Sequence, residues 1–434
     1  MKSRPPLPPG PYLVVGLARS GAAAARMLRE HGEVMGCDAG MPPEAEHGLD
    51  GVEVRLQSDG LDLLPRAATV VKSPGVPQQA PVIVSARERG TEVVGELELA
   101  WRLIPNEFIA VTGTNGKTTT VELLGAMHRQ AGVPVEVAGN VGRPLASLAG
   151  EIDPDAVVVC EASSFQLEDS SAFAPECAVL LNVTEDHLDR HGSFDDYLAA
   201  KLRVFQNQDH DDIAVLRSDF AGQPGDAATV RFGGPDADLA ERDGELRWQG
   251  VAMMPASEVR LRGAHNLENA MAASAAVLAR GMDTAAVRET LNAFAGVPHR
   301  LEEVAERDGV LFVNDSKATN VASALVGIEA FDGGVHLIAG GSLKGGGFGG
   351  LRDAVKSRCR ACYLIGEAAE QLEADLANTV PLHRCGDLEH AVNAATEAAR
   401  PGETVLLSPA CASYDQFSNF EERGDRFREL ARRG

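Results

Sequence analysis

The sequence is organised around residues 108–120, which read FIAVTGTNGKTTT. The apolar run 108–111 is typical of a buried strand, and Val121, Leu124 and Met127 recur at helical spacing after the loop. A strand, a glycine loop, a Gly-Lys-Thr and a helix together bind phosphate, because loop amides, the helix N-terminus and the lysine attract the anion. Val111 stands where the general motif has its first glycine, so an ordinary loop is the alternative. We predict a site for a nucleotide such as ATP.

Composition excludes several classes of protein. The chain has 434 residues, of which 44% are hydrophobic and 24% charged, enough for about three folded domains. A net charge of −23 argues against a nucleic-acid or anionic-membrane partner. The proline-rich start is unlike a secretion signal, and no apolar run has the ~18 residues of a membrane span. We expect a cytoplasmic protein whose seven scattered cysteines, including the pair Cys359 and Cys362, are reduced thiols; zinc or redox chemistry at that pair is the alternative.

The first 95 residues indicate an α/β domain with a dinucleotide-type opening. Residues 12–15 form an apolar run before a turn from Gly16 to Gly21, and an alanine-rich helix follows. Residues 33–37 then indicate a second strand that ends at Asp38, an acid in the position that meets a ribose. Ala18 replaces the middle glycine of the fingerprint, so a structural turn is as good an interpretation as a diphosphate site. Further strands are predicted at 69–72 and 92–94.

Polar side chains follow two predicted strands of the next segment. The run 156–160 leads directly into Glu161, and the run 177–182 leads towards His187. Carboxylate oxygen and imidazole can bind Mg²⁺ or Mn²⁺ at the mouth of a parallel sheet. The alternatives are that Glu161 pairs with a lysine, that His187 caps a turn and that Lys201, on the next helix, is solvated. Residues 211–263 indicate short strands and turns, and an alanine-rich helix follows His265.

The last segment again alternates strands and helices. Strands are predicted at 311–313, 335–339, 363–365 and 404–407, and polar loops follow three of them. Lys317 and Lys344 lie in loops rich in glycine, serine and threonine, which favours anion binding over a surface role. The sequence therefore predicts a second α/β fold that presents an acceptor site.

Seven motifs follow one another along nearly the whole chain. They are GTNGKTT from Gly113, EASSFQLE from Glu161, NVTEDHLDRH from Asn182, HNLEN from His265, GVPHRLE from Gly296, NDSKATN from Asn314 and SPACASYDQF from Ser408. With them the chain resembles the Mur ligase family, most closely the branch that adds D-glutamate to UDP-N-acetylmuramoyl-L-alanine. The resemblance implies a Rossmann-like domain at 1–95, a P-loop ATPase-like domain at 96–296 and a Rossmann-like domain at 297–434.

The resemblance also implies a reaction. ATP would phosphorylate the carboxylate of UDP-N-acetylmuramoyl-L-alanine, and the amine of D-glutamate would attack the acyl phosphate. Two Mg²⁺ ions are implied, one held by Thr118 and Glu161 and the other by His187 and Lys201. Since an ammonium group cannot ligate a cation, Lys201 would have to be carbamylated, as the matching lysine is in the family. The protein would act as a monomer.

The resemblance assigns residues to each ligand by motif match. The catalytic residues would be Lys117, Glu161, His187 and Lys201. ATP would contact Gly113, Thr114, Asn115, Gly116, Lys117, Thr118, Thr119, Asn266, Asn269, Arg300 and Asp315. The two other substrates would contact Ser20, Asp38, Ser73, Asn140, Lys317, Thr319, Lys344, Ser413 and Phe420. Ala39 and Gly40 are small residues where the family often has an arginine against the uracil.

Other functions explain less of the chain. A phosphotransferase would account for residues 108–120, and an NAD-dependent dehydrogenase for residues 12–38. A folylpolyglutamate-type ligase, or a Mur-type ligase for another amino acid, would share the central fold. A nucleotide-binding module without activity would leave the last domain without a role.

Overall fold

The computed structural model describes residues 2–46, 49–222, 225–261, 263–343 and 347–433. The chain forms two compact units, Met1–Phe294 and Ala295–Gly434. The first unit contains a five-stranded and a nine-stranded sheet and the second a six-stranded sheet, counted over the described residues. The predicted α/β class is therefore confirmed, whereas the division of the first unit near residue 95 stays a prediction. No helix in the described ranges is long and apolar enough to cross a membrane.

The first sheet has the strand order β3-β2-β1-β4-β5, and all its pairs are parallel. Strand β1 is wholly buried, as expected for a parallel strand covered on both faces. Its strands and helices are β1 Tyr12–Val15, α1 Arg19–Leu28, β2 Val34–Asp38, α2 Pro43–Glu46, β3 Glu53–Leu56, β4 Thr69–Lys72, α3 Pro81–Glu88, β5 Glu92–Gly95 and α4 Glu96–Leu103. The sequence did not predict β3, a half-exposed edge strand with two charged residues.

The second sheet has the order β14-β13-β12-β11-β10-β9-β6-β8-β7, with β6 between β8 and β9. The pairs from β7 to β12 are parallel, and β12, β13 and β14 form successive antiparallel pairs. The strands are β6 Phe108–Thr112, β7 Val135–Gly139, β8 Val157–Glu161, β9 Cys177–Leu180, β10 Ile213–Arg217, β11 Ala228–Phe232, β12 Leu239–Arg242, β13 Glu245–Trp248 and β14 Val251–Pro255.

The helices around the second sheet place the motifs beside the ends of the strands. Helix α5 follows β6 through the glycine loop and packs against α9. The helices are α5 Lys117–Gln130, α6 Ser164–Glu168, α7 Leu188–His191, α8 Phe194–Leu202, α9 Ala264–Ala279 and α10 Thr284–Ala293. The parallel strands β6, β8 and β9 end on the same side of the sheet, which is where ligands bind in open α/β folds.

The second unit has the strand order β15-β16-β20-β17-β18-β19. Strand β15 is antiparallel to β16, and the remaining pairs are parallel. The elements are β15 Glu302–Arg307, β16 Val310–Asn314, α11 Val321–Glu329, β17 Val335–Gly340, α12 Arg352–Arg358, β18 Cys359–Ile365, α13 Ala369–Asp375, β19 Leu382–Gly386, α14 Leu388–Ala398, β20 Thr404–Leu407 and α15 Phe420–Arg432. The sequence did not predict the edge strands β15 and β19, which carry charged and partly exposed residues.

Candidate functional site

The glycine loop turns between β6 and α5, and its conformation requires glycine. Gly116 has a φ of 86°, and a Cβ atom there would lie 2.1 Å from Oδ1 of Asn269. The amide of Thr114 donates to the carbonyl of Asn182 at 3.0 Å, and the amide of Asn115 donates to the Asn182 side chain at 2.9 Å. Asn182 thus supports the loop by hydrogen bonds, and Asn269 packs against it at Gly116.

Lys117, the first residue of α5, lies over this loop. Its Nζ donates to the carbonyl oxygens of Gly113 and Thr114, each at 2.9 Å. The side chain is partly buried. The ammonium group is therefore at the loop and the helix N-terminus, where an anionic ligand of this fold binds.

Glu161 ends β8 and is almost fully buried, with 2% of its surface exposed. Thr118 Oγ1 donates to Oε2 of Glu161 at 2.9 Å, and Asn140 Nδ2 donates to Oε1 at 3.0 Å. Thr118 and Asn140 therefore both contact this carboxylate, and their contacts with Mg²⁺ and with the substrate stay predictions. A buried carboxylate beside a hydroxyl is a set of hard oxygen donors, which fits Mg²⁺.

Lys201 is not solvated, although the sequence left that reading open. Only 2% of it is exposed, its Nζ donates to the Gly113 carbonyl at 2.7 Å, and the ammonium lies 4.5 Å from the ring centroid of Tyr197. Burial and then the charge of Lys117 lower its pKa to about 7, against the opposing effect of Asp186. Near neutral pH much of this side chain is therefore free amine, which is the form that can add CO₂.

His187 lies at the turn before α7 and has a left-handed backbone with a φ of 52°. It occupies the N-cap position, as the structural alternative expected, but its side chain makes no capping hydrogen bond. The half-exposed ring lies 4.9 Å from the ring of Phe165 and 6.4 Å from that of Tyr197, measured between centroids. His187 and Lys201 therefore both lie next to Tyr197.

Among the described residues, no group of three or more His, Cys, Asp and Glu side chains is placed to hold a metal ion. The predicted sites use a different donor set. The first needs the hydroxyl of Thr118 beside Glu161, and that pair fits. The second includes Lys201, which as an ammonium does not fit and as a carbamate would supply an oxygen ligand.

Asn266 and Asn269 lie in the first two turns of α9. Asn269 is buried against Gly116, and its Nδ2 donates to Oδ1 of Asn266 at 3.3 Å. The structure therefore places this predicted pair beside the glycine loop. Thr119, in the first turn of α5, is buried as well.

Asp315 in the second unit is a buried carboxyl with local donors. Ser408 Oγ donates to Oδ2 at 2.7 Å, and the amide of Leu301 donates to Oδ1 at 3.3 Å. Burial raises the pKa of Asp315 to about 7, although these two hydrogen bonds and the charge of Arg300 oppose the shift. The charge of Arg300 therefore acts on Asp315, whereas contact of either residue with ATP stays a prediction.

The predicted D-glutamate residues follow β16 and β20. Lys317 and Thr319 are partly buried and lie in one turn, in which the Thr319 amide donates to the Lys317 carbonyl at 2.9 Å. Ser413 is buried, and Phe420 begins α15. Lys344 lies outside the described residues.

Arg423 is a buried side chain that the sequence did not single out. It is 1% exposed, and its Nη2 donates to the carbonyls of Ser316 and Cys411 at 2.9 and 3.0 Å. Its Nη1 donates to the carbonyl of Ala412 at 3.1 Å. Arg423 thus ties the two loops that carry the predicted acceptor residues, but nothing in the charged sequence EERGDRFREL distinguishes it from its neighbours.

The predicted residues of the first sheet lie around the turn before α1. Ser73 Oγ donates to the carbonyl of Gly16 at 2.8 Å, and Ser20 lies in the first turn of α1. The carboxylate of Asp38 accepts the amides of Leu17 and Gly40, both at 2.7 Å. Asp38 therefore fixes the backbone of this turn; a contact with ribose stays a prediction.

All seven cysteines are free thiols, and six of them are buried. Cys359 begins β18 and Cys362 lies within it, where both side chains belong to the core of the second unit. The expectation of reduced thiols agrees with this placement.

Comparisons with known proteins match the chain over nearly its whole length. Three family descriptions match in order: "Mur ligase MurD-like, N-terminal domain" at 11–95, "Mur ligase middle domain" at 111–277 and "Mur ligase, glutamate ligase domain" at 299–411. A protein of Acidobacterium capsulatum named UDP-N-acetylmuramoylalanine–D-glutamate ligase is 43% identical over 96% of this chain and 95% of its own. A protein of the same name from Geobacter metallireducens is 44% identical over 96% of each chain.

Solved structures show the same fold at lower identity. The UDP-N-acetylmuramate–alanine ligase of Thermotoga maritima aligns with a TM-score of 0.60 at 19% identity, over 96% of this chain and 98% of its own. The MurF ligase of Thermotoga maritima, solved in complex with ADP, aligns with a TM-score of 0.55 at 19% identity, over 86% of this chain and 90% of its own.

Proposed function

The chain belongs to the Mur ligase family, and from this premise we propose that it joins D-glutamate to UDP-N-acetylmuramoyl-L-alanine at the expense of ATP. The observation that carries the proposal is full-length identity of 43–44% with enzymes of that name. The reaction makes an amide bond in a precursor of peptidoglycan. The enzyme would work in the cytoplasm, where ATP and the nucleotide-linked precursor occur together, and as a monomer.

We propose that the glycine loop holds the phosphates of ATP. The reaction must bring a carboxylate up to the γ-phosphate, and the two anions repel each other. Lys117 lies at the loop carbonyls and offsets the charge of the outer phosphates. Asn266 and Asn269 border the same loop and would contact the nucleotide.

Mg²⁺ would neutralise phosphate charge and stabilise the charge that develops on the transferred phosphoryl group. Thr118 and Glu161 would hold one ion, because their oxygens already face each other at 2.9 Å. His187 and a carbamylated Lys201 would hold a second. The buried position of Lys201 and its lowered pKa support carbamylation, since CO₂ adds to a neutral amine.

Formation of the amide bond would take two steps. The substrate carboxylate would take the γ-phosphoryl group, and the resulting acyl phosphate would be attacked by the amine of D-glutamate with release of phosphate. Asn140 would orient the reacting end of the UDP-linked substrate, since it lies against Glu161 at 3.0 Å. Lys317, Thr319, Lys344, Ser413 and Phe420 would hold D-glutamate, and Arg300 and Asp315 would contact ATP.

A screen of amino acids for ADP release tests the proposal. Purified enzyme with ATP, Mg²⁺ and UDP-N-acetylmuramoyl-L-alanine should release ADP with D-glutamate and far less with L-glutamate, L-lysine or diaminopimelate. Omission of the UDP-linked substrate is the control, and turnover should then stop.

Two outcomes would contradict the proposal. Release of ADP that needs no amino acid would indicate a phosphotransferase. Faster ligation of another amino acid, or of glutamate to a folate, would indicate a different ligase of the same fold.

A further inference from the structure

Arg190 contacts two segments of the unit Met1–Phe294 that follow strands of different sheets: the loop after β4 and helix α6, which follows β8. Its guanidinium carbon lies 4.5 Å from the centroid of the Phe165 ring in α6. Its Nη2 donates to the carbonyl oxygens of Pro74 and Val76, both at 3.3 Å. The side chain is partly buried. One arginine of α7 therefore holds the loop after β4, residues 73–76, against α6.

The loop 73–76 packs directly on the turn at the start of α1. A Cβ atom at Gly16 would lie 2.8 Å from Cγ2 of Val76 and 2.9 Å from Cβ of Ser73. The Ser73 hydroxyl also donates to the Gly16 carbonyl at 2.8 Å. The two segments are in close contact, so a displacement of the loop would be transmitted to the turn.

Asp169, directly after α6, holds both ends of the same loop. Lys72 Nζ lies 2.7 Å from Oδ2 of Asp169, and Gln78 Nε2 donates to Oδ1 at 2.8 Å. Lys72 precedes the loop and Gln78 follows it. The ends of the loop are thus fixed at Asp169, and its middle is held by the hydrogen bonds from Arg190.

We propose that Arg190 is a positioning residue for the UDP-linked substrate. It acts through the loop 73–76, which sets the turn of Gly16 where the diphosphate of that substrate would meet the N-terminus of α1. The inference rests on the proposed function, because that function supplies the ligand of the turn.

The choice of arginine has a physical reason. A planar guanidinium group can stack on an aromatic ring and donate two hydrogen bonds in its own plane at the same time. A lysine at this position could satisfy the carbonyls or lie over Phe165, but its point charge has no flat face. Arg190→Lys should therefore keep only part of the effect.

Steady-state kinetics of Arg190→Met and Arg190→Lys test this role. In Arg190→Met the Michaelis constant for UDP-N-acetylmuramoyl-L-alanine should rise about tenfold or more, the scale of losing hydrogen bonds from a charged donor. The Michaelis constant for ATP and kcat should stay within about twofold, because the loop at Gly113 is untouched. Arg190→Lys should show an intermediate rise.

Arg87→Met is the matched control. Arg87 is half-exposed in α3, donates to Gln78 and comes within 3.9 Å of Asp169, so its contacts lie at the end of the loop and not at the carbonyls of Pro74 and Val76. Arg87→Met removes a positive charge near the same loop and should leave the Michaelis constants for ATP, UDP-N-acetylmuramoyl-L-alanine and D-glutamate unchanged.

Calorimetric measurement of UDP-N-acetylmuramoyl-L-alanine binding distinguishes a failure of the positioning role of Arg190 from a failure of the proposed function. If the parent enzyme binds it and Arg190→Met binds it equally well, the positioning role is wrong and the proposed function stands. If the parent does not bind it, both are wrong. A fall in kcat with unchanged Michaelis constants would also overturn the inference, and Arg190→Lys decides the question if Arg190→Met does not fold.

Discussion

Lys117 and Lys201 donate to the same oxygen atom, the carbonyl of Gly113, at 2.9 and 2.7 Å. Two ammonium groups that share one acceptor repel each other, and the charge of Lys117 is, after burial, the second cause of the lowered pKa of Lys201. The arrangement concentrates positive charge at the glycine loop and weakens the protonated state of the buried lysine. An anionic ligand at the loop would relieve this repulsion, which favours the binding of phosphate there.

Removal of Lys117 should abolish most of the activity and leave the fold intact. The side chain is partly buried and bonds to loop carbonyls, so its main contribution is charge at the phosphate site. For Lys117→Ala we expect kcat to fall at least ~100-fold, the scale of losing one key electrostatic contact. Phosphate release assays at saturating substrates measure this.

Arg129→Ala is the control for this prediction, because Arg129 is an exposed cation in the last turn of the same helix. It should retain the turnover of the parent enzyme. A folded Lys117→Ala variant with near-normal turnover would contradict the role of the glycine loop in binding phosphate.

Lys201→Ala should be nearly inactive and should regain activity with short-chain carboxylates. Truncation leaves space beside Tyr197, and formate or acetate there would replace the oxygens of the lost carbamate. Turnover should therefore increase with acetate concentration in this variant. Mass spectrometry is a weaker measurement, because the carbamate is labile.

Acetate added to the parent enzyme and to Lys117→Ala is the control, and neither should gain activity. An active Lys201→Ala variant that does not respond to acetate would show that no carbamate ligand is needed.

The sequence predicted best those elements that are buried on both faces. Strand β6 is a continuous apolar run, and the glycine loop after it has a conformation that few other residues adopt. The edge strands β3, β15 and β19 were missed, because one side of an edge strand lies in water and its residues then resemble a loop. A periodic pattern of apolar residues indicates which positions are buried. These three strands are only partly buried, so they lack such a pattern.

The sequence motifs predicted which residues come together in the site. They did not predict which charged side chains are buried, because that depends on tertiary packing. Glu161, Thr118 and Asn140 come together because β8 lies between β6 and β7, and Thr118 follows β6 while Asn140 follows β7. The burial of Lys201 and of Arg423 depends on chain segments far away in sequence. A lysine or arginine in a helix is usually solvated, so no local signal distinguishes these two from surface residues.

The ion pair of Lys72 and Asp169 predicts a large loss of stability when one partner is removed. The side chains are 0% and 2% exposed and lie 2.7 Å apart. Lys72→Met removes the nearest cation from the buried Asp169 carboxylate and leaves it with Gln78 and the half-exposed Arg87, which should lower the free energy of unfolding of this unit by about 3 kcal/mol. Denaturant-induced unfolding of the full chain measures this change.

The double variant Lys72→Met with Asp169→Asn should be more stable than Lys72→Met alone, because it removes both charges and keeps the acceptor for Gln78. Arg66→Met provides the contrast, since Arg66 pairs with Glu33 and Glu53 at the surface. It should leave stability nearly unchanged. Equal losses for Arg66→Met and Lys72→Met would show that burial of the pair does not matter.

Asp315 predicts a pH dependence of stability in the second unit. Its pKa is about 7 in the folded protein and near 4 in the unfolded chain, so folding binds a proton between these values. The contribution of Asp315 to the free energy of unfolding therefore falls as the pH rises from about 4 to 7. Asp315→Asn removes the penalty, and its advantage over the parent should grow by on the order of 2 kcal/mol from pH 5 to pH 8.

Glu422→Gln is the control with the opposite sign. The amide of Ser418 is the first of the causes that lower the pKa of Glu422, so this group is ionised in both states above pH 5. Its difference from the parent should stay nearly constant from pH 5 to pH 8. A constant difference for Asp315→Asn as well would show that the carboxyl is ionised in the folded protein.

The choice of D-glutamate predicts a specific effect of Lys344. D-Glutamate brings two carboxylates, and we expect Lys344 to bind one of them as a point charge while Thr319 and Ser413 supply hydroxyl donors. Lys344→Ala should therefore raise the Michaelis constant for D-glutamate about tenfold or more and change that for ATP far less. Initial rates with each substrate varied in turn give both constants.

Lys356→Ala is the matched control, because Lys356 is an exposed lysine in the last turn of α12 of the same unit. It should leave both Michaelis constants unchanged. The motif loops contain no cluster of acids for a second ammonium group, so the parent enzyme should use lysine and diaminopimelate poorly. An unchanged Michaelis constant for D-glutamate in Lys344→Ala, or faster ligation of a diamino acid by the parent, would place the acceptor pocket elsewhere, because a site without this charge has no reason to prefer a dianion.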